Sequence, residues 1–213
     1  MLECPIVGGK RTLGKLDKPV MTAPEMLTKI DVSQLSAAFP ASIRADALEA
    51  AQVVSGILHE RQWANQESYC VGSEEILIPR RLRLTQFRPT AHNDSRVEQM
   101  IACLQTQSCD GFERQRALQS LLPDVRAWSA PFIVRLIGEY VIEIIEDIEA
   151  ATTPSNLDAL TSCIVENREY WEVTKQRVAS YWNVYYRHRY TWRNYPGFQL
   201  VNKLESALRS RSV

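Results

Sequence analysis

The chain has 213 residues, 45% hydrophobic and 23% charged, with 25 Lys and Arg set against 25 Asp and Glu. That is enough apolar material to bury a large core unaided, and the balanced charge argues against the global positive field usual in nucleic-acid binders. The five cysteines, Cys4, Cys70, Cys103, Cys109 and Cys163, are odd in number and contain no CxxC, which argues against a disulfide framework or zinc ribbon and fits a reducing cytoplasm.

Residues 1–40 read as a flexible N-terminal arm. Pro5, Pro19, Pro24 and Pro40 interrupt it, Gly8, Gly9 and Gly14 loosen it, and Lys10, Arg11, Lys15 and Lys18 make its start basic. Little there repays ordering entropy, so only a short helical turn near Ser33–Phe39 is expected. The arm lacks the apolar stretch of a signal peptide, and no run in the chain approaches the ~18 apolar residues of a membrane span. A cytoplasmic location without a membrane partner is therefore expected. The segment Gly8–Thr12, GGKRT, is not a phosphate loop: Cys4 stands where the first glycine belongs, and Arg11 where a magnesium-binding Ser or Thr is required.

Residues 41–213 read as a single helical domain with a β-arm inserted at about 69–88. Ile43, Ala47, Ala50, Val54, Ile57 and Leu58 recur at helical spacing, predicting a helix from Ser42 to about Ala64. Tyr69–Val71, a Gly72-Ser73 turn and Glu75–Ile78 predict a two-residue β-hairpin near 69–84. Leu82 and Leu84, alternating with arginines, predict a third strand. Arg80, Arg81, Arg83 and Arg88 are read as its solvated side, with an anionic partner as the alternative.

Ser95 and Glu98 have capping-box spacing before Val97, Met100, Ile101 and Leu104, and Asp110 opens another helix. Pro131–Ala150 is apolar on almost every side and reads as one enclosed helix, started by Ser129 with Pro131 in its first turn. Leu136, Ile137, Tyr140, Val141, Ile144 and Ile145 are expected to be buried. Glu139, Glu143 and Glu146 would share one face of that helix. A buried Glu139 needs a partner, and Arg177 or Arg187 on a long helix predicted over Arg168–Tyr190 could supply it. Pro154-Ser155 opens a helix carrying Leu157, Leu160 and Ile164. Pro196-Gly197 ends the long helix, before a last one marked by Leu200, Val201, Leu204 and Leu208. The expected fold is thus mainly α, an antiparallel helical stack with a small hairpin arm.

The stretch DGFERQRALQSLL, followed by PDVRAW, resembles the inner helix of a HEAT-type repeat. Asp110, Arg114 and Ala117 match that pattern, while Glu113 stands at its apolar position and Phe112 comes one residue early. Asp124, Val125 and Arg126 repeat the fragment without the following alanine, and no period of about 40 residues runs along the chain. The resemblance covers about thirty residues and implies a protein-binding helical stack. The whole is also similar to uncharacterised bacterial helical proteins, which implies no activity.

Chemistry-bearing patterns are few. His59-Glu60 begins HERQW, in which Trp63 replaces the second histidine of the zinc-protease HExxH motif. The Glu139, Glu143 and Glu146 stripe lacks the ExxH partners of di-metal bundles, so a metal or acid–base role for it ranks third. No catalytic set, metal or cofactor is expected. Tyr181–Phe198 packs eight aromatics among Arg187, His188, Arg189 and Arg193. Much of this fits a helix–helix seam, whereas Tyr186, Arg187, Arg189, Tyr190, Trp192 and Arg193 form the candidate binding surface. The leading expectation is a non-catalytic module that binds another protein or self-associates as a dimer. Single-stranded nucleic-acid or nucleotide binding through the same region is the alternative.

Overall fold

The computed structural model describes residues 30–63, 65–89 and 95–211. The basic start of the expected arm, its GGKRT segment and His92 lie outside the described residues. The chain folds as mainly helical with a small hairpin. The elements are α1 (Val32–Ser36), a 3₁₀ turn (Ala41–Ile43), α2 (Arg44–Ser55), β1 (Gln66–Val71), β2 (Glu74–Pro79), α3 (Arg96–Gln105), α4 (Gly111–Leu121), α5 (Ala130–Ile137), α6 (Ile142–Ala151), α7 (Pro154–Glu166), α8 (Arg168–Tyr181), a π turn (Trp182–Tyr186) and α9 (Pro196–Arg211). Helices α1 to α4 pack in succession, and α9 closes over α6, α7 and α8.

Residues 30–39, expected to belong to the arm, pack on the core. Asp31 caps α1 in a reciprocal box with Gln34, and Leu35, Ala38 and Phe39 are fully buried. Phe39 stacks on Phe132 at 5.4 Å, so this segment is held by the core rather than by its own propensity. Helix α2 stops at Ser55, short of the expected Ala64, with Gly56 at its C-cap.

The hairpin forms where expected. Gly72 and Ser73 both take positive φ, 59° and 70°, as a type I′ turn demands. The third strand does not form: Leu82 bridges Ser108, and Leu84 bridges Leu58, as isolated pairs. The hairpin is wedged between α1 and α7. Leu77 N–H donates to Ala37 O at 2.9 Å, and the Asn167 side-chain amide pairs with both backbone groups of Cys70 at 2.8 and 2.9 Å. An amide side chain thereby satisfies the outward backbone groups of β1 at Cys70.

The apolar run Pro131–Ala150 is not one helix. Helix α5 begins after Ser129 with Pro131 in its first turn, buries all eight of its residues and ends at Gly138. A Cβ on Gly138 would lie 3.3 Å from Arg177 Cδ, so the close approach of α8 favours a residue without a side chain there. The chain turns through Glu139–Val141 and resumes as α6. Leu136, Ile137, Ile144 and Ile145 are fully buried as expected, Val141 is half-buried, and Tyr140 is 54% exposed because it sits in the turn. The break also dissolves the glutamate stripe: Glu143 and Glu146 are exposed on α6, whereas Glu139 is buried before it.

Cap chemistry is read correctly at α4 and incompletely at α3. Ser95 occupies the N-cap of α3 without a side-chain cap bond, while Glu98 takes Arg88 at 2.9 and 3.1 Å. Asp110 accepts from the backbone of Phe112 at 2.7 Å and of Glu113 at 3.3 Å. Asp110→Ala should therefore cost ~1 kcal/mol of unfolding free energy in urea titration, the usual loss for an N-cap. An unchanged midpoint would show that the exposed cap contributes nothing.

Candidate functional site

Two adjoining surfaces stand out, and Tyr140 and Tyr181 belong to both. The first is aromatic. The long helix expected to reach Tyr190 ends at Tyr181 and continues as a π turn, which changes the angular spacing of the rings that follow. Tyr140, Tyr181 and Tyr185 consequently form a triangle with centroids 6.1 to 6.2 Å apart, and Tyr140 and Tyr185 are 54% and 51% exposed. Tyr185 leads on to Tyr186, and Tyr186 stacks on the buried Tyr195 at 5.6 Å.

The six candidate surface residues divide between support and exposure. Tyr186 and Tyr190 are half-buried: Tyr186 donates its phenol to Tyr140 O, and Tyr190 donates to Glu146 at 3.3 Å. Burial, and after it the neighbouring Glu143 and Glu146 carboxylates respectively, push both phenols up from their ordinary range. Arg187, Arg189, Trp192 and Arg193 are exposed. Arg189 lies 5.1 Å over the Tyr190 ring, and Arg193 lies 5.2 Å over Trp192. Trp192 forms no stacked or edge ring pair with Tyr140, Tyr181 or Tyr185 among the described residues.

The second surface is a cleft of about 440 Å³ between the hairpin and α5/α8. Arg80 and Arg81 enter it from the end of β2, Arg135 from α5 and Arg177 from α8. Glu67 and Glu139 are its carboxylates, and Trp63, Tyr140, Tyr170 and Tyr181 supply rings. Glu67 is held by Arg80 at 3.0 Å, by Arg135 at 3.4 Å and by the Tyr69 phenol at 3.1 Å. Burial raises the Tyr69 phenol far above its ordinary value, so it stays a donor.

Glu139 is 6% exposed and sits between two guanidiniums. Its Oε1 accepts from Arg81, and its Oε2 lies 2.7 Å from Arg114 Nη2 without the alignment of a hydrogen bond. The ion pair expected for Glu139 exists, but its partners are not Arg177 or Arg187. They come from the hairpin end and from α4. Arg114, one of the residues carrying the HEAT-type resemblance, also donates to Ser108 O at 2.9 Å and to Cys109 O at 3.2 Å. It therefore ties the start of α4 to the α5–α6 turn.

The chain matches no protein-family model, no curated protein and no solved structure.

Sequence reasoning singled out Arg80, Arg81 and Arg177 without bringing them together, and it placed Tyr140 in the core. Gly138 was the available signal, since a glycine inside an apolar helix costs ~1 kcal/mol and marks a break or a close approach. His59 lies beyond α2, its Nδ1 accepting from Arg61 N–H at 3.2 Å, and therefore does not present a helical HExxH face. Among the described residues, no three His, Cys, Asp or Glu side chains are grouped so as to hold a metal, and no helix is long and apolar enough to cross a membrane.

Proposed function

We propose that this protein is a non-catalytic interaction module, with a second protein or a second copy of the chain docking on the aromatic–arginine face after α8. The Tyr140, Tyr181 and Tyr185 triangle carries this reading. Large rings with polar tips, left half in water beside the exposed Arg187 and Arg189, are the residue types that dominate interface energies once desolvated. The α1–α4 succession, with the HEAT-type resemblance around Asp110 and Arg114, fits a supporting helical stack. Glu143 and Glu146 favour a protein over a nucleic-acid strand as the partner. They lie beside Tyr186 and Tyr190 and interrupt the continuous positive track that a phosphate backbone needs.

A photoreactive phenylalanine analogue placed at Tyr185 in the native cell tests this reading. A discrete crosslinked species is expected, identified by mass spectrometry and weakened by Tyr140→Ala and Arg189→Ala. The same group at exposed Gln52 on α2 serves as the control. Sedimentation velocity of the purified chain separates self-association from a foreign partner. Absence of any adduct at Tyr185 beyond the control would remove the proposal. Low-salt retention of single-stranded oligonucleotides, lost with Arg189→Ala and Trp192→Ala, would replace it with nucleic-acid binding.

A further inference from the structure

The cleft between the hairpin and α5/α8 holds more cationic charge than its own carboxylates neutralise. Arg80, Arg81, Arg135 and Arg177 line it against Glu67 and Glu139, and Arg114 lies beneath on Glu139. Arg135 is spent structurally: it is buried and donates to the carbonyls of Pro79 and Arg80 at 3.2 and 2.7 Å. Arg177 is different. It pairs with no carboxylate among the described residues; its Nη1 lies 3.3 Å from the Tyr170 hydroxyl and its guanidinium 5.6 Å over the Tyr170 ring. Its stem lies against Gly138, so the backbone break in the apolar run is also what admits this side chain to the cleft.

We propose that this cleft is a binding site for a small organic phosphate bearing a planar ring, of the nucleotide class. Guanidiniums offer forked donors that match phosphate oxygens, and Arg177, joined by the half-exposed Arg80 and the partly exposed Arg81, has donors to give. Trp63, Tyr140 and Tyr181 provide faces for a stacked base. The volume, about 440 Å³, lies within the range of small-ligand pockets. A free inorganic phosphate would use the arginines and leave the rings without a role.

Cys109 lines the cleft and is exposed, which makes it a reporter of occupancy. Cys103 and Cys163 are buried, and burial pushes the Cys163 thiol up to about 12, so neither competes for thiol reagents. In the full chain carrying Cys4→Ser and Cys70→Ser, the modification rate of Cys109 by a neutral disulfide reagent is followed with and without added compounds. Mono- and diphosphates of the four common ribonucleosides are tried, together with the free nucleosides and inorganic pyrophosphate. At least one nucleotide is expected to slow the reaction ~10-fold at millimolar concentration or below, while free nucleosides do not protect. Arg177→Gln should raise the protecting concentration ~10- to 100-fold, the worth of a charge-assisted bond. If that variant unfolds, Arg80→Gln at its half-exposed position should weaken protection in the same direction. The proposal is overturned if no nucleotide protects, if pyrophosphate protects as well as the best nucleotide, or if protection is unchanged in the folded arginine variant.

Discussion

Glu139→Ala should lower the unfolding free energy by ~3–5 kcal/mol, the usual penalty for removing one member of a buried ion pair. The carboxylate is 6% exposed, and the Arg114 side chain facing it is 3% exposed. Arg114 Nε already has no hydrogen-bond partner, so losing Glu139 leaves a buried guanidinium supported only by the carbonyls of Ser108 and Cys109. The partner Arg81 is partly exposed and can turn to water, so the cost falls mainly on Arg114. Urea denaturation of Glu139→Ala, Arg114→Met and the double variant forms the measuring cycle. The double variant should be no less stable than Glu139→Ala alone, because it removes the stranded charge as well as its partner. A single-variant loss below ~1 kcal/mol would mean that the pair behaves as a surface salt bridge and that the α5–α6 turn is not held by it.

Trp171→Ala should cost ~3–5 kcal/mol, the range for emptying a buried aromatic site. Trp171 is fully buried in α8, and its indole donates to Glu205 on α9 at 2.7 Å, so one side chain both fills the core and pins the last helix. Trp171→Phe separates these roles by keeping most of the apolar volume and removing the donor. The Trp171 indole, more than Lys175, holds the Glu205 carboxyl below the ordinary glutamate range. A carboxyl lowered in the folded state stabilises above its unfolded value and loses that contribution as pH falls through its folded value. The wild-type chain should therefore lose stability on acidification below the ordinary glutamate range, and Trp171→Phe should flatten that part of the profile. Equal acid slopes in the two proteins would show that the Trp171 hydrogen bond does not set the Glu205 carboxyl.

The parts of the fold that depend on near neighbours could be read from the chain itself. Gly72-Ser73 between alternating runs marked a two-residue hairpin, because a turn that short needs residues tolerant of positive φ; that both take it, as in type I′, is a finding of the structure. Asp110 and Pro131 marked helix starts through chemistry completed within a turn. The apolar run Pro131–Ala150 announced a buried centre, and its burial is almost complete in α5. The candidate surface was partly visible for the same reason: aromatic and arginine content around Tyr186–Arg193 is a local fact, although the π turn that sets the ring angles is not.

Sequence by itself therefore determined the mainly helical class, the hairpin, most of the core and the composition of one surface, since period, capping and turn residues act over a few positions. Tertiary structure alone decided which arginines reach Glu139 and that four arginines share one cleft. Gly138 signals locally a break or a close approach, but only the packing of α8, whose Arg177 Cδ would lie 3.3 Å from a Cβ there, shows what the glycine accommodates. Arg81 and Glu139 stand 58 positions apart, and several arginines could have supplied the counter-charge to Glu139 in the α5–α6 turn. Long side chains such as arginine reach many partners at similar local cost, so only the packing of the hairpin against α5 and α8 selects among them.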